Sequence, residues 1–179
     1  DVRNWSRSMN ITLFHQLNNR WSLGIDVPVI SNTRSSLYEH YGNTSTSPNA
    51  RRSTHSFGLG DIRISANYWV FDPQKANQGN VQVGLGLKLP TGDYNYQDYF
   101  WKNDTLRQLG PVDQSIQLGD GGTGISAEVN AYYNFSPFWG VYSNLYYLSN
   151  PREQNGVSTS RGGTPTALAV KYTTNVMSV

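Results

Sequence analysis

The sequence predicts an all-β fold, an antiparallel transmembrane β-barrel, from a period of two in its apolar residues, from the length of the apolar rows and from the alternation of short and long connections. The period appears four times, as Trp21-Leu23-Ile25-Val27-Val29, Ile62-Ile64-Ala66-Tyr68-Val70, Val81-Val83-Leu85-Leu87-Leu89 and Ile125-Ala127-Val129-Ala131-Tyr133-Phe135. Polar or small residues lie between, so each strand has one apolar and one polar face. Each row spans about nine to eleven residues, which is what a tilted strand needs to cross a bilayer.

The composition agrees with this prediction. Only 37% of the 179 residues are hydrophobic, as expected where just the lipid-facing half of each strand must be apolar. No run approaches the roughly twenty apolar residues of a transmembrane helix, so a spanning structure must be a closed barrel. The absence of cysteine excludes disulfides and thiolate metal sites. A dispersed net charge of +2 argues against a nucleic-acid partner.

The elements follow from the pattern in chain order. Strands are predicted near 7–16, 20–30, 57–71, 80–90, 123–135, 138–148 and 164–175. The short connections are 17–19, 72–79 and 136–137, and the long ones are 31–56, 91–122 and 149–163. Short turns on one side and long loops on the other are typical of outer-membrane barrels. Seven strands is an odd number, so we interpret 1–179 as a single, incomplete domain of a larger, even-stranded barrel.

Aromatic residues cluster at the short-turn ends of the predicted strands. An interfacial girdle in contact with membrane lipid is expected there. Its predicted members are Trp21, Tyr68, Phe71, Tyr133, Phe135 and Trp139.

Charged residues occur at the positions that face away from the apolar rows. Opposite charges on neighbouring strands can pair across the interior of a barrel. In a wide barrel they select solutes, whereas in a narrow one they fill the interior, and the sequence leaves both roles open. The predicted lumen-lining residues are Asp26, Asp61, Arg63, Lys88, Glu128 and Lys171.

Catalytic and metal sites find little support. The three histidines, His15, His40 and His55, have no nucleophile motif or evident carboxylate partner. The acidic residues of the connection 91–122 lack the dense spacing of a calcium loop; they are Asp93, Asp98, Asp104, Asp113 and Asp120. We therefore expect no enzyme, metal or cofactor.

Two glycine-rich segments carry a resemblance to a known family. They are Phe57-Gly58-Leu59-Gly60-Asp61-Ile62-Arg63-Ile64 and Val83-Gly84-Leu85-Gly86-Leu87-Lys88-Leu89-Pro90-Thr91-Gly92-Asp93. They resemble the bacterial outer-membrane barrels known as meta-pathway phenol-degradation transporters, which are broadly similar to long-chain fatty-acid transporters. A third segment, Gln117-Leu118-Gly119-Asp120-Gly121-Gly122-Thr123-Gly124, is similar to that family's glycine-rich strand start. The resemblance covers about 57–133.

The resemblance implies an outer-membrane channel or transporter for small solutes, including hydrophobic or aromatic ones. Two alternatives remain open. One is a non-conducting accessory barrel whose long loops bind another envelope protein. The other is a soluble β-sandwich binding module, whose strands also alternate but turn their apolar rows inward.

Overall fold

The chain folds into an antiparallel sheet that curls into a half-barrel, as a computed structural model shows for residues 1–38, 46–152, 154–158, 169–171 and 175–178. This confirms the prediction of an all-β antiparallel fold. Within those ranges the helical content is one 3-10 turn, Gln114–Ile116. No helix in them is long and apolar enough to cross a membrane.

Twelve strands are present in the described ranges, and most belong to one sheet. In chain order they are β1 (Arg3–Gln16), β2 (Trp21–Leu37), β3 (Arg51–Leu59), β4 (Arg63–Trp69), β5 (Gly79–Lys88), β6 (Gln97–Trp101), β7 (Arg107–Pro111), β8 (Gly124–Asn134), β9 (Gly140–Ser149), β10 (Gln154–Ser158), β11 (Ala169–Lys171) and β12 (Asn175–Ser178). The main sheet has the order β1-β2-β4-β5-β8-β9-β12, with β3 as a further partner of β2. Each edge strand, β1 or β12, has one partner in the described part of the chain, and the barrel is not closed.

The single strand predicted near 57–71 is wrong, because the structure divides it into β3 and β4. The long strand β2 pairs with β4 along its first half and with β3 along its second half. Between the two ladders, the three residues 60–62 lie opposite the two residues 27–28, which makes a bulge. Its contact is a hydrogen bond of 2.8 Å from the Gly60 N–H to the Pro28 carbonyl. A Cβ atom on Gly60 would lie 2.7 Å from Ile30 Cδ1 and 3.2 Å from the Leu118 carbonyl oxygen, so a larger residue at this bulge would displace its neighbours.

The long connections contain more regular structure than the sequence predicts. β2 and β3 extend well into 31–56, and 91–122 contains the hairpin β6–β7 and the 3-10 turn. Within the strand predicted at 164–175, the structure describes Ala169–Lys171, which pairs with β10 in a separate two-stranded sheet, and Asn175, the first residue of β12. The neighbour of β9 in the main sheet is instead β12.

The two faces of the main sheet are the reverse of those in a soluble sheet. The apolar rows are exposed: Leu85 is 67% exposed and Ile125 61%. The polar residues that alternate with them are buried, and Ser126 and Asn67 are 1% and 4% exposed. Buried apolar side chains lie instead mainly in the long connections, among them Phe100, Val112, Ile116 and Leu118.

Candidate functional site

The polar face of the main sheet, which carries Asp26, Arg63, Lys88 and Glu128, is its concave face. Arg63 on β4 reaches Glu128 on β8, although β5 lies between those two strands. In a sheet that curls into a half-barrel the inner face is the enclosed one, and here the polar residues are buried while the apolar rows are exposed. The apolar rows therefore lie on the convex face.

The centre of the polar face holds an ion triad that we call the central cluster: Asp26, Arg63 and Glu128. The guanidinium of Arg63 lies 2.9 Å from Asp26 Oδ2 and 2.9 Å from Glu128 Oε2. The three side chains are only 17–25% exposed. One guanidinium has enough donors for two carboxylates, which explains how a single cation holds three strands together.

Two glycines on β5 open the path that Arg63 takes. Gly84 pairs with Glu128 and Gly86 with Ser126, so both occupy polar-face positions between β4 and β8. A Cβ atom on Gly86 would lie 3.5 Å from Arg63 Cδ and closer still to the Ser126 hydroxyl. The missing side chains therefore leave the space in which the guanidinium crosses β5.

Amide side chains extend the central cluster toward β9. Asn130 and Asn144 donate to Glu128 Oε1 at 2.8 and 3.0 Å. The Tyr142 hydroxyl donates to Asn130 Oδ1 at 2.8 Å, and Arg63 lies over the Tyr146 ring at 5.2 Å. Polar groups thus cover the concave face from β4 to β9 without a break.

A second ion triad, the rim cluster, lies where the sheet meets its long connections; it consists of Lys88, Asp61 and Asp120. Lys88 Nζ lies 2.9 Å from Asp61 Oδ2 and 2.6 Å from Asp120 Oδ1, and it donates to the Gly122 carbonyl at 2.7 Å. Asp61 Oδ1 accepts the Gly92 N–H at 2.9 Å. Because Gly92 is bound by Asp61, and Asp120 and Gly122 by Lys88, this triad fastens both ends of the connection 91–122 to the sheet. Lys88 itself is only 8% exposed.

The middle of that connection folds onto the polar face. We call residues 113–118 the inner segment. The Ile116 carbonyl accepts hydrogen bonds from Asn32 Nδ2, at 3.2 Å, and from the Ser56 hydroxyl. Arg34 pairs with Asp113 at 3.2 Å. Ile116 is fully buried, so the inner segment is packed against β2 and β3 and narrows the space above them.

The short-turn end of the polar face is aromatic. Trp69 and Tyr132 meet edge to face, with their ring centroids 6.1 Å apart. A cavity of about 400 Å³ is lined by Phe14 and Trp69 together with polar groups such as Gln16 and Ser22. A solute bound there would contact aromatic rings as well as amide and hydroxyl groups.

Five of the six residues predicted to line a lumen share the concave side. Asp26, Arg63 and Glu128 form the central cluster, and Asp61 and Lys88 belong to the rim cluster. Lys171 is the exception, because its strand pairs with β10 and not with the main sheet.

The six aromatic residues predicted as a girdle lie at the short-turn end. Trp21 and Tyr68 are a directly opposed cross-strand pair with ring centroids 4.8 Å apart. Trp139, Phe135 and Phe71 are 71%, 58% and 58% exposed. Exposed rings at one end of the apolar rows are the arrangement that a girdle requires.

The histidines and loop carboxylates form no composite site in the described ranges. His15 lies on β1, His55 lies 3.6 Å from Asp98, and His40 lies outside the described residues. Among those residues, no group of three or more His, Cys, Asp or Glu side chains is placed to hold a metal ion.

The sequence interpretation missed the inner segment and the aromatic pair Trp69–Tyr132. The sequence carried a signal for the pair, because Trp69 lies on the same strand face as Arg63, and Tyr132 lies on the same strand face as Glu128. The inner segment had none, since its sequence carries no period. Comparisons of the sequence with protein-family models and with curated proteins found no match.

Proposed function

We propose that this chain belongs to a bacterial outer-membrane channel or transporter for small solutes, including hydrophobic or aromatic ones. The observation that carries the proposal is the exposed apolar convex face combined with a charged, hydrogen-bonded concave face. Lipid outside and a polar path inside require that division, whereas a protein in water is expected to bury its apolar face.

The dimensions of the apolar rows support insertion into a bilayer. The row from Ile125 to Phe135 covers ten residue steps, which is about 33 Å along the strand and about 25 Å in height at a tilt of about 40°. The apolar band of outer-membrane barrels is about 25 Å tall. A complete barrel additionally needs every sheet edge paired, because lipid cannot satisfy open backbone groups.

The composition of the polar face supports passage of solutes that combine a polar group with a ring. Arg63, Glu128 and the neighbouring amides offer donors and acceptors at mid-sheet, and Phe14 and Trp69 offer rings at the short-turn end. Contacts that are individually weak allow both binding and release, which transport requires.

The test is conductance and solute uptake by the protein refolded into lipid vesicles. We expect single-channel steps in potassium chloride and uptake of benzoate and of a small neutral sugar. Arg63→Ala should shift the ion preference toward cations, because it removes the one positive charge of the central cluster. Lys75→Ala, in an exposed short turn, is the matched control and should change nothing. Folded, inserted protein that passes neither ions nor solutes contradicts the proposal.

A second candidate is a non-conducting accessory barrel that binds another envelope protein through its long connections. The paired ions of both clusters and the buried inner segment favour it, because they fill part of the interior. The accessory function would be supported by a protein that inserts into vesicles but does not conduct, and that captures an envelope protein only when the hairpin β6–β7 is intact.

A further inference from the structure

Three arginines lie on the convex face beyond the apolar band, on its long-loop side: Arg3, Arg7 and Arg51. We propose that these residues, together with Trp5, form a binding site for the phosphate groups of a phosphorylated glycolipid in the surrounding leaflet. The inference rests on the proposed membrane location, and it adds a specific lipid class at a specific place.

The strand register places these residues on one face. On β1, Arg3 and Arg7 lie on the same face of the strand as Met9, Ile11 and Leu13, because all five have odd numbers in a regular strand. Those three apolar residues are exposed. Arg7 pairs with Ser31, and Ser31 in turn pairs with Phe57, which is 65% exposed.

The third arginine joins the same patch across β2. Arg51 begins β3 and is exposed, and it has the convex-face parity of Phe57. Trp5 is 51% exposed and lies between Arg3 and Arg7 on the convex face. An exposed aromatic ring among cations at the edge of an apolar band is typical of a membrane interface.

The guanidinium groups have donors to spare. Among the described residues, the side chain of Arg7 makes no ion pair or hydrogen bond. Arg3 has one loose partner, Asp1, at 3.6 Å, and both side chains are more than half exposed. Arg51 donates to the Ser35 hydroxyl and to the Asp1 carbonyl, at 3.3 and 3.1 Å. Five N–H donors per guanidinium leave bidentate positions for phosphate oxygens.

The height of the patch selects the lipid class. Arg7 lies two residues beyond Met9, about 7 Å along the strand and about 5 Å in height at the tilt of a barrel strand, and Arg3 lies six residues beyond it, about 20 Å along the strand and about 15 Å in height. The headgroup layer on each side of a bilayer is only about 5–8 Å thick. A simple phospholipid therefore reaches Arg7 but not Arg3, whereas an extended glycolipid with phosphates on its sugars reaches both.

The convex face carries different side chains at the short-turn end of the apolar rows. There the convex face presents Trp21 and Tyr68, and the nearby guanidinium of Arg20 donates to the Tyr68 hydroxyl at 3.1 Å. Rings at one end and arginines at the other fit a membrane whose two leaflets have different headgroups.

The experiment measures the unfolding temperature of the refolded protein in neutral detergent micelles during titration with three lipids. These are purified lipopolysaccharide, the same lipid after enzymatic removal of its phosphates, and phosphatidylglycerol. A ligand of the folded state raises the unfolding temperature. We expect the largest rise with intact lipopolysaccharide, and a rise that shrinks with added salt.

The variant is the double substitution Arg3→Ala/Arg7→Ala, and the control is Lys75→Ala/Arg107→Ala, which removes the same charge elsewhere. The patch variant should bind intact lipopolysaccharide about thirtyfold more weakly, since each arginine near a lipid surface contributes about a factor of five. The control should bind like the wild type. Both variants should leave the lipid-free unfolding temperature unchanged. If the patch variant is destabilised, Arg3→Lys/Arg7→Lys tests the site, because it keeps the charge but removes the bidentate guanidinium and should still weaken binding.

A failure of this inference and a failure of the proposed function give different results. Equal affinity of the patch variant and the wild type, or equal binding of the phosphate-free lipid, contradicts this inference alone. Failure of the wild type to insert into phosphatidylcholine vesicles contradicts the proposed function.

Discussion

Arg63 on β4 and Glu128 on β8 are joined across an intervening strand, with Nη1 and Oε2 2.9 Å apart. Their Cα positions are two ladders apart in a sheet whose other inward groups are mostly neutral. The same guanidinium also holds Asp26, so one side chain fixes the curvature between β2 and β8. Ion pairs therefore cross-link the polar face in addition to the ladder hydrogen bonds.

Removing the cation of the central cluster should destabilise the fold. Arg63→Ala leaves two mostly buried carboxylates without their partner, and hydrogen bonds to charged groups contribute about 1–3 kcal/mol each. We expect the free energy of unfolding in micelles, measured with urea, to fall by about 2–4 kcal/mol. Arg63→Lys keeps the charge but lacks the forked guanidinium, so its free energy of unfolding should lie between those of the wild type and the alanine variant. An alanine variant as stable as the wild type would contradict this account of the cluster.

A side chain at Gly86 should block the path of Arg63. Gly86→Val adds a β-branched side chain at a site that is already surrounded by Arg63 Cδ, the Ser126 hydroxyl and the Ile64 carbonyl. Overpacking of this kind costs about 1–3 kcal/mol. The neighbouring convex-face variant Leu87→Val is the control, and it should change the urea midpoint much less. Equal effects of the two variants would show that the face of the strand does not matter.

Loss of the Asn32 amide should loosen the inner segment. Asn32 is 4% exposed and donates to both the Ile116 carbonyl and the Ser56 hydroxyl. In Asn32→Ala, amide hydrogen exchange of residues 113–118 should speed up by about tenfold, which corresponds to about 1.4 kcal/mol. Solute uptake should rise with it, whereas Ser31→Ala, on the convex face, should change neither. Unchanged exchange in Asn32→Ala would mean that other contacts hold the segment.

Tyr38, beyond the apolar band, should titrate above the ordinary tyrosine range. Its hydroxyl donates to the Asp104 carboxylate, and this hydrogen bond raises the pKa of Tyr38 because ionisation would break it. The folded-state pKa exceeds the unfolded value of about 10. The stabilisation is therefore fully present below that pH and is lost as the pH rises through the folded-state pKa.

The measurement is the phenolate absorbance difference between the wild type and Tyr38→Phe. Asp104→Asn removes the acceptor charge and should return the pKa of Tyr38 toward its ordinary value. A Tyr38 titration that Asp104→Asn leaves unchanged is the opposing result.

Sequence reasoning located most of the main strands and the parity of five lumen candidates, because a period of two in a regular strand fixes which side chains share a face. It failed at the β3–β4 bulge, since the approach of Gly60 to Pro28 depends on pairing register and not on composition. It also failed at the inner segment. Asn4 and Ser115, which share a hydrogen bond of 2.9 Å, are 111 residues apart. Contacts between an irregular loop and a distant strand have no signal in local periodicity.

The most direct test of the central claim, that the apolar convex face contacts acyl chains, uses the absence of cysteine in the chain. Single spin labels at Leu85→Cys, on the convex face, and at Asn130→Cys, on the concave face, report which relaxation agent reaches each position in vesicles. We expect strong relaxation by lipid-soluble oxygen and weak relaxation by a water-soluble nickel chelate at position 85. The reverse order is predicted at position 130. A label at position 85 that the nickel chelate reaches freely, or that neither agent reaches, would contradict the claim.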